Sequence, residues 1–407
     1  MAQLPASSRF RPAPVRAVDV VTCFDVQVLD VASEFDLAPD RVWLSASHQG
    51  PLPRRATEAV QQMLLWKQQP HHLQTAAAFS DLIQRLRKAL ATLVSAPEAE
   101  IVLANSASYG LHLLSNGLGL AEGDEVIVAA NDFPSDILPW SRLEQSGVKV
   151  VRVQPAGLVL SADEVASAVT AQTRVVCLTW VHSFSGNVID LDAIGEVCRR
   201  ADALFVVNGS QGVGGLPISV HDHPVDALTS AGFKWLCGPY GTGLCWLGPR
   251  TLDRLSPTKL YWLSALTAED LASADFDLAG LEPAATGRHD VFGTANFFNF
   301  APFAASVELV LETGVERIQA HNQQLAARLI DGIDRSLFEV QDRGHPEHLS
   351  SIVFVRPTQR RPEDVWTHLD DAGIGVAQRV GLIRFAPHFY NSPADIDRAL
   401  DVLNERF

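Results

Sequence analysis

The chain lacks the features that mark several classes of protein. It has only five cysteines in 407 residues and no CxxC pair, which argues against a disulfide framework. Neither His71-His72 nor His221-Asp222-His223 has zinc-type spacing, so no metal site is predicted. No apolar run approaches the ~18 residues that a membrane helix requires, and the N-terminus has no continuous apolar signal segment. These absences predict a cytoplasmic protein with reduced thiols and no membrane span.

Runs of lysine or arginine are also absent. The 32 basic residues against 47 acidic ones give a formal net charge of −15. Such an acidic balance argues against nucleic acid or an anionic membrane surface as the main partner. The hydrophobic fraction of 47% is ordinary for a globular protein, and the length predicts one large domain with a smaller one.

Short β-branched runs alternate with helical patterns between about residues 101 and 248. This alternation predicts an α/β fold with a mostly parallel sheet that is buried on both faces. Ligands of such sheets bind at the carboxyl ends of the strands. Five candidate site residues follow predicted strands: Ser106, Phe133, Ser183, Asn208 and Lys234.

The final third of the chain has a different pattern, which predicts a small α+β domain. A long helix is expected over about 300–335, followed by a strand at 350–357, a helix at 362–372, a strand pair around 374–387 and a helix at 393–406. We therefore predict an N-terminal arm (1–53) that packs with the small domain, a large domain (54–295) and the small domain (296–407).

Lys234 lies between apolar residues in the segment SAGFKWLCGPYGTG (230–243), at a strand end and before a Gly/Pro-rich turn. Burying a lysine as a cation costs free energy, and burial therefore lowers its pKa. A lysine that bonds covalently to an aldehyde needs such a lowered pKa. Most lysines are surface residues, however, and this pattern alone does not assign catalysis.

The separate motifs occur together in an order that resembles one family. From SASHQGPLP (45–53) to RFAPHFYNS (384–392), the chain resembles fold-type I pyridoxal phosphate (PLP) enzymes of the class V aminotransferase group. The resemblance is to the branch with cysteine desulfurases and isopenicillin N epimerase-like proteins. It implies a large PLP-binding domain, a small C-terminal α+β domain, an amino-acid substrate and a homodimer with a shared active site.

The resemblance implies a role for the lysine, for the turn before the predicted helix at about 108, and for Phe133. Lys234 would hold the PLP aldehyde as a Schiff base and then move protons at the substrate. The turn of Ser106, Ala107 and Ser108 opens a helix, where free backbone amides favour a phosphate. Phe133 would stack on the pyridine ring. Taken singly, a helix cap and a buried core ring are the alternatives for the phosphate turn and for Phe133.

Four further positions match the family in the same way. Ser183 and Gln211 would approach the phenolic oxygen of PLP, with turn capping as the alternative for both. Thr294 would reach the phosphate of the neighbouring subunit. Arg384 would clamp the substrate α-carboxylate, a grip for which a planar guanidinium is suited. Without the resemblance, Arg384 would be read as an exposed strand arginine.

The largest departure from the family is Asn208. The family motif at this strand end is Asp-x-x-Gln, whereas this chain has Asn208-Gly-Ser-Gln211. The family's carboxylate keeps the pyridine nitrogen protonated, which makes the ring a strong electron sink, and a neutral amide cannot supply that charge. Three explanations remain open: a reaction that needs only a modest sink, an altered or lost activity, and a deliberate change that traps an intermediate.

The positions of the cysteines bear on the reaction. Desulfurases of the family use a mobile cysteine in the C-terminal domain, but no cysteine follows Cys245 here. A persulfide-forming desulfurase is therefore not predicted. The favoured function is a PLP-dependent lyase (C–S cleavage or β-elimination) or an isopenicillin N epimerase-like enzyme. A class V aminotransferase proper and a catalytically altered, non-enzymatic PLP-fold protein are the alternatives.

Overall fold

The structure, a computed structural model, describes residues 29, 31–73, 76–256, 262–266, 270, 272–274, 287–293, 296–343 and 349–406. Up to residue 256 the strands and α-helices are β1 (Val42–Trp43), α1 (Arg54–Gln68), α2 (Ala76–Leu93), β2 (Ile101–Ala104), α3 (Ala107–Gly117), β3 (Glu125–Ala129), α4 (Pro134–Ser141), β4 (Lys149–Val153), α5 (Ala162–Ala168), β5 (Thr173–Thr179), α6 (Leu191–Arg200), β6 (Leu204–Asn208), β7 (Ala227–Ala231), β8 (Gly243–Leu247) and α7 (Pro249–Arg254). After it come α8 (Trp262–Ala265), α9 (Phe297–Thr313), α10 (Val315–Gly332), β9 (Phe338–Val340), β10 (Val353–Pro357), α11 (Pro362–Asp371), β11 (Ile374–Gly375), β12 (Ala377–Arg379), β13 (Leu382–Phe385) and α12 (Pro393–Leu403).

The predicted α/β fold is confirmed. Seven strands form one sheet in the order β2-β8-β7-β6-β5-β3-β4. Neighbours from β7 to β4 pair in parallel, and β8 alone runs antiparallel to its two neighbours. Every residue of β3, β6, β7 and β8 is buried, as expected for a sheet covered by helices on both faces. The carboxyl ends of β5, β6 and β7 are therefore brought to one edge.

Helix α3 packs directly on the sheet beside these ends. A Cβ at Gly110 would lie 2.5 Å from Cγ2 of Thr229 on β7 and 3.0 Å from Sγ of Cys245 on β8. Because real Cβ atoms do not approach so closely, only glycine lets the helix lie this near to the strands. The N-terminus of α3 is thereby held next to the carboxyl end of β7.

The C-terminal part contains a four-stranded antiparallel sheet in the order β12-β13-β10-β9. The segment before α1 pairs with this part, since β1 runs parallel to β11 with Val42 opposite Ile374. Further along, the Ala46 amide donates to the Ala386 carbonyl (3.1 Å) and the Ala386 amide donates to Leu44 (2.7 Å). These bonds hold the residues before α1 against the strand that carries Arg384.

The predicted long helix over 300–335 is wrong in one respect, because two helices replace it. Gly314 ends α9 and precedes α10 with φ +86°, a conformation that glycine adopts without steric cost. Helix α9 is buried on nearly all sides, whereas α10 buries a single face. Within the described part of the chain, no helix is both long and apolar enough to cross a membrane.

A buried ion pair connects helix α2 and strand β2 with the segment 287–293, which comes before α9. Arg87 Nη2 lies 2.5 Å from Asp290 Oδ2, both side chains are buried, and Asp290 Oδ1 accepts from the Leu103 amide at 2.8 Å. Removing one partner leaves the other charge buried without compensation. We expect Asp290→Ala to lower the free energy of unfolding by about 3–5 kcal/mol, measured by urea titration at fixed protein concentration.

The exposed pair of Arg361 and Asp364 provides the control for this experiment. Exposed ion pairs contribute only about 0–1 kcal/mol, so Asp364→Ala should leave the urea midpoint nearly unchanged. An equal response of the two variants would show that the pair at Asp290 does not stabilise the fold through its burial.

Candidate active site

A cavity of 370 Å³ lies at the carboxyl ends of β5, β6 and β7. Its size is within the range of small-molecule sites. All the predicted site residues that the structure describes line it: Ser106, Ala107, Ser108, Phe133, Ser183, Asn208, Gln211, Lys234 and Arg384. Thr294, the remaining predicted residue, lies outside the described residues. Residues that are up to 278 positions apart in sequence (106 to 384) thus meet in one place.

Lys234 lies in the turn that connects the antiparallel strands β7 and β8. The backbone of this turn is held by the Gly50 amide, which donates to the Phe233 carbonyl at 2.9 Å. A Cβ at Gly50 would collide with the carbonyl oxygen of Lys234, so the two turns can touch only with glycine there. The ammonium Nζ of Lys234 lies 5.7 Å from the centroid of the Phe133 ring.

The surroundings of Lys234 lower its pKa to about 8. Burial is the largest cause, and the positive charges of Arg384 and Arg379 act in the same direction. Low polarity and like charges both disfavour the ammonium form. At pH 7 roughly a tenth of this lysine is therefore a neutral, nucleophilic amine, far more than for an ordinary lysine.

The N-terminus of α3 forms an anion-binding turn at the cavity wall. Ser106 caps the helix, with its Oγ accepting from the Tyr109 amide at 3.1 Å. The amides of Ala107 and Ser108 are in the first turn, where helix geometry provides no intrahelical acceptor. A Cβ at Gly243 of β8 would lie 2.8 Å from the Ser106 backbone, so the strand passes close behind the turn. The first-turn amides and the helix dipole suit a phosphate.

The Phe133 ring is 38% exposed in a cavity whose other aromatic side chains include Phe184, at a centroid distance of 6.0 Å. His182 joins the two turns that carry these rings. Its Nε2 lies 2.9 Å from the Asn131 carbonyl, and its Nδ1 lies 2.9 Å from Ser185 Oγ. A partly exposed ring held by fixed turns is suited to stack on a flat ligand.

Arg384 extends from β13 into the same cavity and is buried. One guanidinium nitrogen, Nη1, donates to the Ser183 carbonyl at 3.2 Å, and Nε has no partner among the described residues. Burial, and secondly the charge of Arg379, lowers the pKa of Arg384 to about 9, which still leaves it charged at neutral pH. A buried cation with an unpaired N–H fits an anionic ligand such as a carboxylate.

Gln211 has a fixed amide orientation. Its Oε1 accepts from the indole N–H of Trp235 at 3.0 Å, and its Nε2 donates to the Ser47 carbonyl at 3.0 Å. Because an indole can only donate and a carbonyl can only accept, the second Nε2 hydrogen remains available for a ligand acceptor. The amide can therefore act as a donor in the cavity.

Three functional candidates were not predicted from the sequence. His48 and Arg379 line the cavity, and Asp136 lies directly behind Asn208. The pKa of His48 is lowered by burial first and then by the charges of Arg379, Arg384 and Lys234. His48 lies in the SASHQGPLP turn (45–53) that carries the resemblance, and this turn position is the signal in the sequence that points to it.

The cavity groups fit PLP, a flat phosphorylated aldehyde. The amides of Ala107 and Ser108 match its phosphate, the Phe133 ring its pyridine, and the amine of Lys234 its aldehyde. The unpaired Nε of the buried Arg384 leaves a cationic group for a second, anionic ligand. An amino acid carries that anion as its α-carboxylate.

Comparisons with known proteins identify the family and the fold. The family model for aminotransferase class-V matches residues 43–397. A "probable cysteine desulfurase" of Methanothermobacter thermautotrophicus is 26% identical over 92% of this chain and 97% of its own length. An "uncharacterized aminotransferase YcbU" of Bacillus subtilis is 25% identical over 77% of this chain and 81% of its own.

Solved structures share the fold. The apo cysteine desulfurase of Thermococcus onnurineus NA1 matches with a TM-score of 0.80 and 20% identity, covering 92% of this chain and 96% of that one. A complex of the cystine C–S lyase C-DES with cysteine persulfide matches with a TM-score of 0.80 and 22% identity, over 90% of this chain and 97% of that one. At such identities the likeness concerns the fold alone.

Proposed function

The chain belongs to the aminotransferase class-V family, and on that premise we propose that it is a PLP-dependent lyase that breaks a C–S bond at Cβ of an amino-acid substrate. The observation that carries the proposal is the convergence of Lys234, Arg384 and the α3 N-terminus on one cavity. These three groups do not contact one another to stabilise the fold. Each matches one part of PLP with an amino acid: the aldehyde, the α-carboxylate and the phosphate, respectively.

The described residues have distinct roles in this proposal. When bound, PLP supplies an electron sink for negative charge at the substrate Cα. Arg384 holds the α-carboxylate, and Phe133 fixes the plane of the ring. The neutral amine of Lys234 would hold the cofactor aldehyde and would serve as the acceptor of the proton from Cα. Elimination would break the Cβ–S bond with its electron pair leaving on sulfur, so that cystine and water would give cysteine persulfide, pyruvate and ammonia.

The elimination outcome is favoured over transamination because of Asn208, which lines the cavity with a neutral amide. Transamination requires a sink that holds charge until a proton returns to the cofactor, whereas elimination of a good leaving group makes a smaller demand. The C-DES neighbour is named a cystine C–S lyase with cysteine persulfide as its product, which supports cystine as a substrate to test here.

The cysteines support release of sulfur to solution rather than to the protein. The four cysteines in the described part of the chain, Cys177, Cys198, Cys237 and Cys245, are free and buried. Burial raises the pKa of each thiol, so none is an exposed thiolate that could accept sulfur. Free thiols also support the proposed cytoplasmic location.

We further propose that the protein is a homodimer with a shared active site. The support is a set of exposed aromatic side chains close in sequence to the lysine turn and α9: Tyr240 (59% exposed), Phe292 (58%) and Phe298 (39%). Exposed apolar groups of this kind are typical of protein–protein interfaces. Analytical ultracentrifugation should give twice the mass of one chain, and a single-chain mass would contradict the proposal.

The test of the proposed function combines absorption spectra with product analysis. PLP-loaded protein is mixed with cystine, cysteine or alanine, and pyruvate, ammonia and persulfide are measured. We expect cystine to give pyruvate with multiple turnovers and alanine to give none, since alanine has no leaving group at Cβ. Stoichiometric pyridoxamine phosphate would indicate an aminotransferase, and bound PLP that no substrate alters would indicate a non-catalytic protein.

The lowered pKa of Lys234 gives a pH-dependent prediction for cofactor loading. Only the neutral amine attacks an aldehyde, and its fraction rises with pH until the pKa of about 8 is passed. The initial rate of PLP attachment to the apoprotein should therefore rise roughly tenfold per pH unit below the pKa and level off above it. Stopped-flow absorbance between pH 6 and 10 measures this rate; a rate that still rises tenfold per unit up to pH 10 would mean that Lys234 has an ordinary pKa.

A further inference from the structure

A buried polar cluster lies behind the amide of Asn208. It contains Asp136 on α4, Thr179 at the end of β5 and Asp132 in the turn after β3, and these three side chains are buried, as is Asn208. Asp136 has no solvent exposure at all. Burying two ionised carboxyls costs free energy unless hydrogen bonds compensate for the lost water or one of the carboxyls is protonated.

The contacts of Asn208 fix the orientation of its amide. Its Oδ1 accepts from the Ser210 amide at 3.0 Å, and its Nδ2 donates to Asp136 Oδ2 at 3.1 Å. A backbone N–H can only donate, so the oxygen must face Ser210 and the NH2 group must face Asp136. The second Nδ2 hydrogen remains available, and Asn208 lines the cavity. The group offered to a ligand is thus a donor.

The two carboxyls share the hydroxyl of Thr179. Thr179 Oγ1 lies 3.0 Å from Asp136 Oδ2 and also contacts Asp132 Oδ1. One hydroxyl has a single hydrogen, so it can donate to only one carboxyl, and the other carboxyl must donate a proton of its own to make its bond. The cluster therefore holds one proton and one negative charge.

The surroundings decide which carboxyl is protonated. Asp132 accepts from the Thr179 amide at 2.9 Å and the Phe133 amide at 2.8 Å, which stabilises a negative charge. Asp136 Oδ1 has no partner among the described residues. Burial first, and then the charge of Asp132, raises the pKa of Asp136 well above its usual range. The proton thus lies on Asp136 Oδ2, which donates it to Thr179 Oγ1 and accepts from Asn208 Nδ2 through its remaining lone pair.

We propose that Asp136 is a positioning residue that holds the Asn208 amide as a hydrogen-bond donor to the ring nitrogen of PLP, so that this nitrogen stays unprotonated. The inference rests on the proposed PLP function. The carboxyl that is missing at position 208 is present at position 136, one hydrogen bond further from the cavity, and it is neutral. The ring is consequently a modest electron sink, which suits elimination and disfavours transamination.

The test is the ¹⁵N chemical shift of the ring nitrogen in protein loaded with PLP labelled at that atom, because protonation moves this shift strongly upfield. Wild-type protein should show an unprotonated, hydrogen-bonded nitrogen. The double variant Asn208→Asp with Asp136→Asn exchanges the two side chains and places the carboxylate next to the cavity. It should show a protonated nitrogen and divert more turnovers to pyridoxamine phosphate.

Two single variants distinguish a role of Asp136 in orienting the Asn208 amide from a general role in stabilising the fold. Asp136→Asn keeps an acceptor for Asn208 Nδ2 and should preserve the wild-type shift, whereas Asp136→Leu removes the acceptor and should move the shift towards that of a free pyridine. A wild-type shift in Asp136→Leu, or a protonated nitrogen in the wild type, would overturn the inference while leaving the proposed function intact. Failure of the wild-type protein to bind PLP would overturn both, and if Asp136→Leu does not fold, the wild type and the double variant still decide.

Discussion

Substitution of Lys234 by alanine is expected to lower kcat for pyruvate formation by a factor on the order of 10⁴, since a proton acceptor and the covalent anchor of the cofactor are lost together. The Nζ atom of Lys234 is 5.7 Å from the Phe133 ring and is the amine that lines the cavity beside Arg384. The measurement is kcat with saturating PLP and cystine. Added PLP should restore binding of the cofactor but not turnover.

Lys88, an exposed residue of α2, provides a matched control for this loss. Lys88→Ala removes the same charge far from the cavity in sequence and should keep the wild-type kcat. The assignment of Lys234 would be wrong if its alanine variant retained more than a few per cent of activity while Lys88→Ala behaved like the wild type.

Arg384→Ala is expected to lower kcat/KM for cystine on the order of 10²–10³-fold, which corresponds to the cost of truncating one partner of a buried, hydrogen-bonded charge pair. The guanidinium is buried and its Nε is unpaired among the described residues, so it is ready to receive a carboxylate. Arg384→Lys should recover only part of the loss, because an ammonium cannot make the bidentate contact.

A substrate without the α-carboxylate shows whether the loss arises at that contact. Cystamine, the decarboxylated analogue of cystine, has nothing for Arg384 to hold. Its binding, measured from the change in cofactor absorbance, should be similar in wild-type and Arg384→Ala protein. An equal loss for cystine and cystamine would indicate that Arg384 supports the structure of the cavity rather than the substrate.

Much of the fold could be predicted from the sequence because its signals are local. Apolar runs such as 204–207, which precede Asn208, indicate strands that are buried on both faces, and their alternation with helices indicates parallel pairing. Apolar residues continue on both sides of Gly314, and the pattern therefore predicts one helix where the structure has two. The signal was nevertheless present, since a glycine is the residue that most often ends a helix.

The candidate site was predictable only in part. Residues that follow strands, such as Ser106 and Lys234, can be located because parallel strand ends gather at one edge. The contact between Asn208 and Asp136 could not be predicted, because it joins residues 72 positions apart through the packing of α4 on the sheet. The sequence shows only that position 208 lacks the carboxylate of the family motif. The structure shows in addition that the carboxyl of Asp136 accepts a hydrogen bond from Asn208.

The most direct test of the central claim is to locate the covalent bond between protein and cofactor. Protein loaded with PLP is reduced with borohydride, digested and analysed by mass spectrometry. We predict one modified peptide, containing Lys234, with the added mass of the reduced cofactor. Modification of a different lysine, or an unmodified Lys234 in protein that has retained PLP, would contradict the assignment of this cavity as the active site.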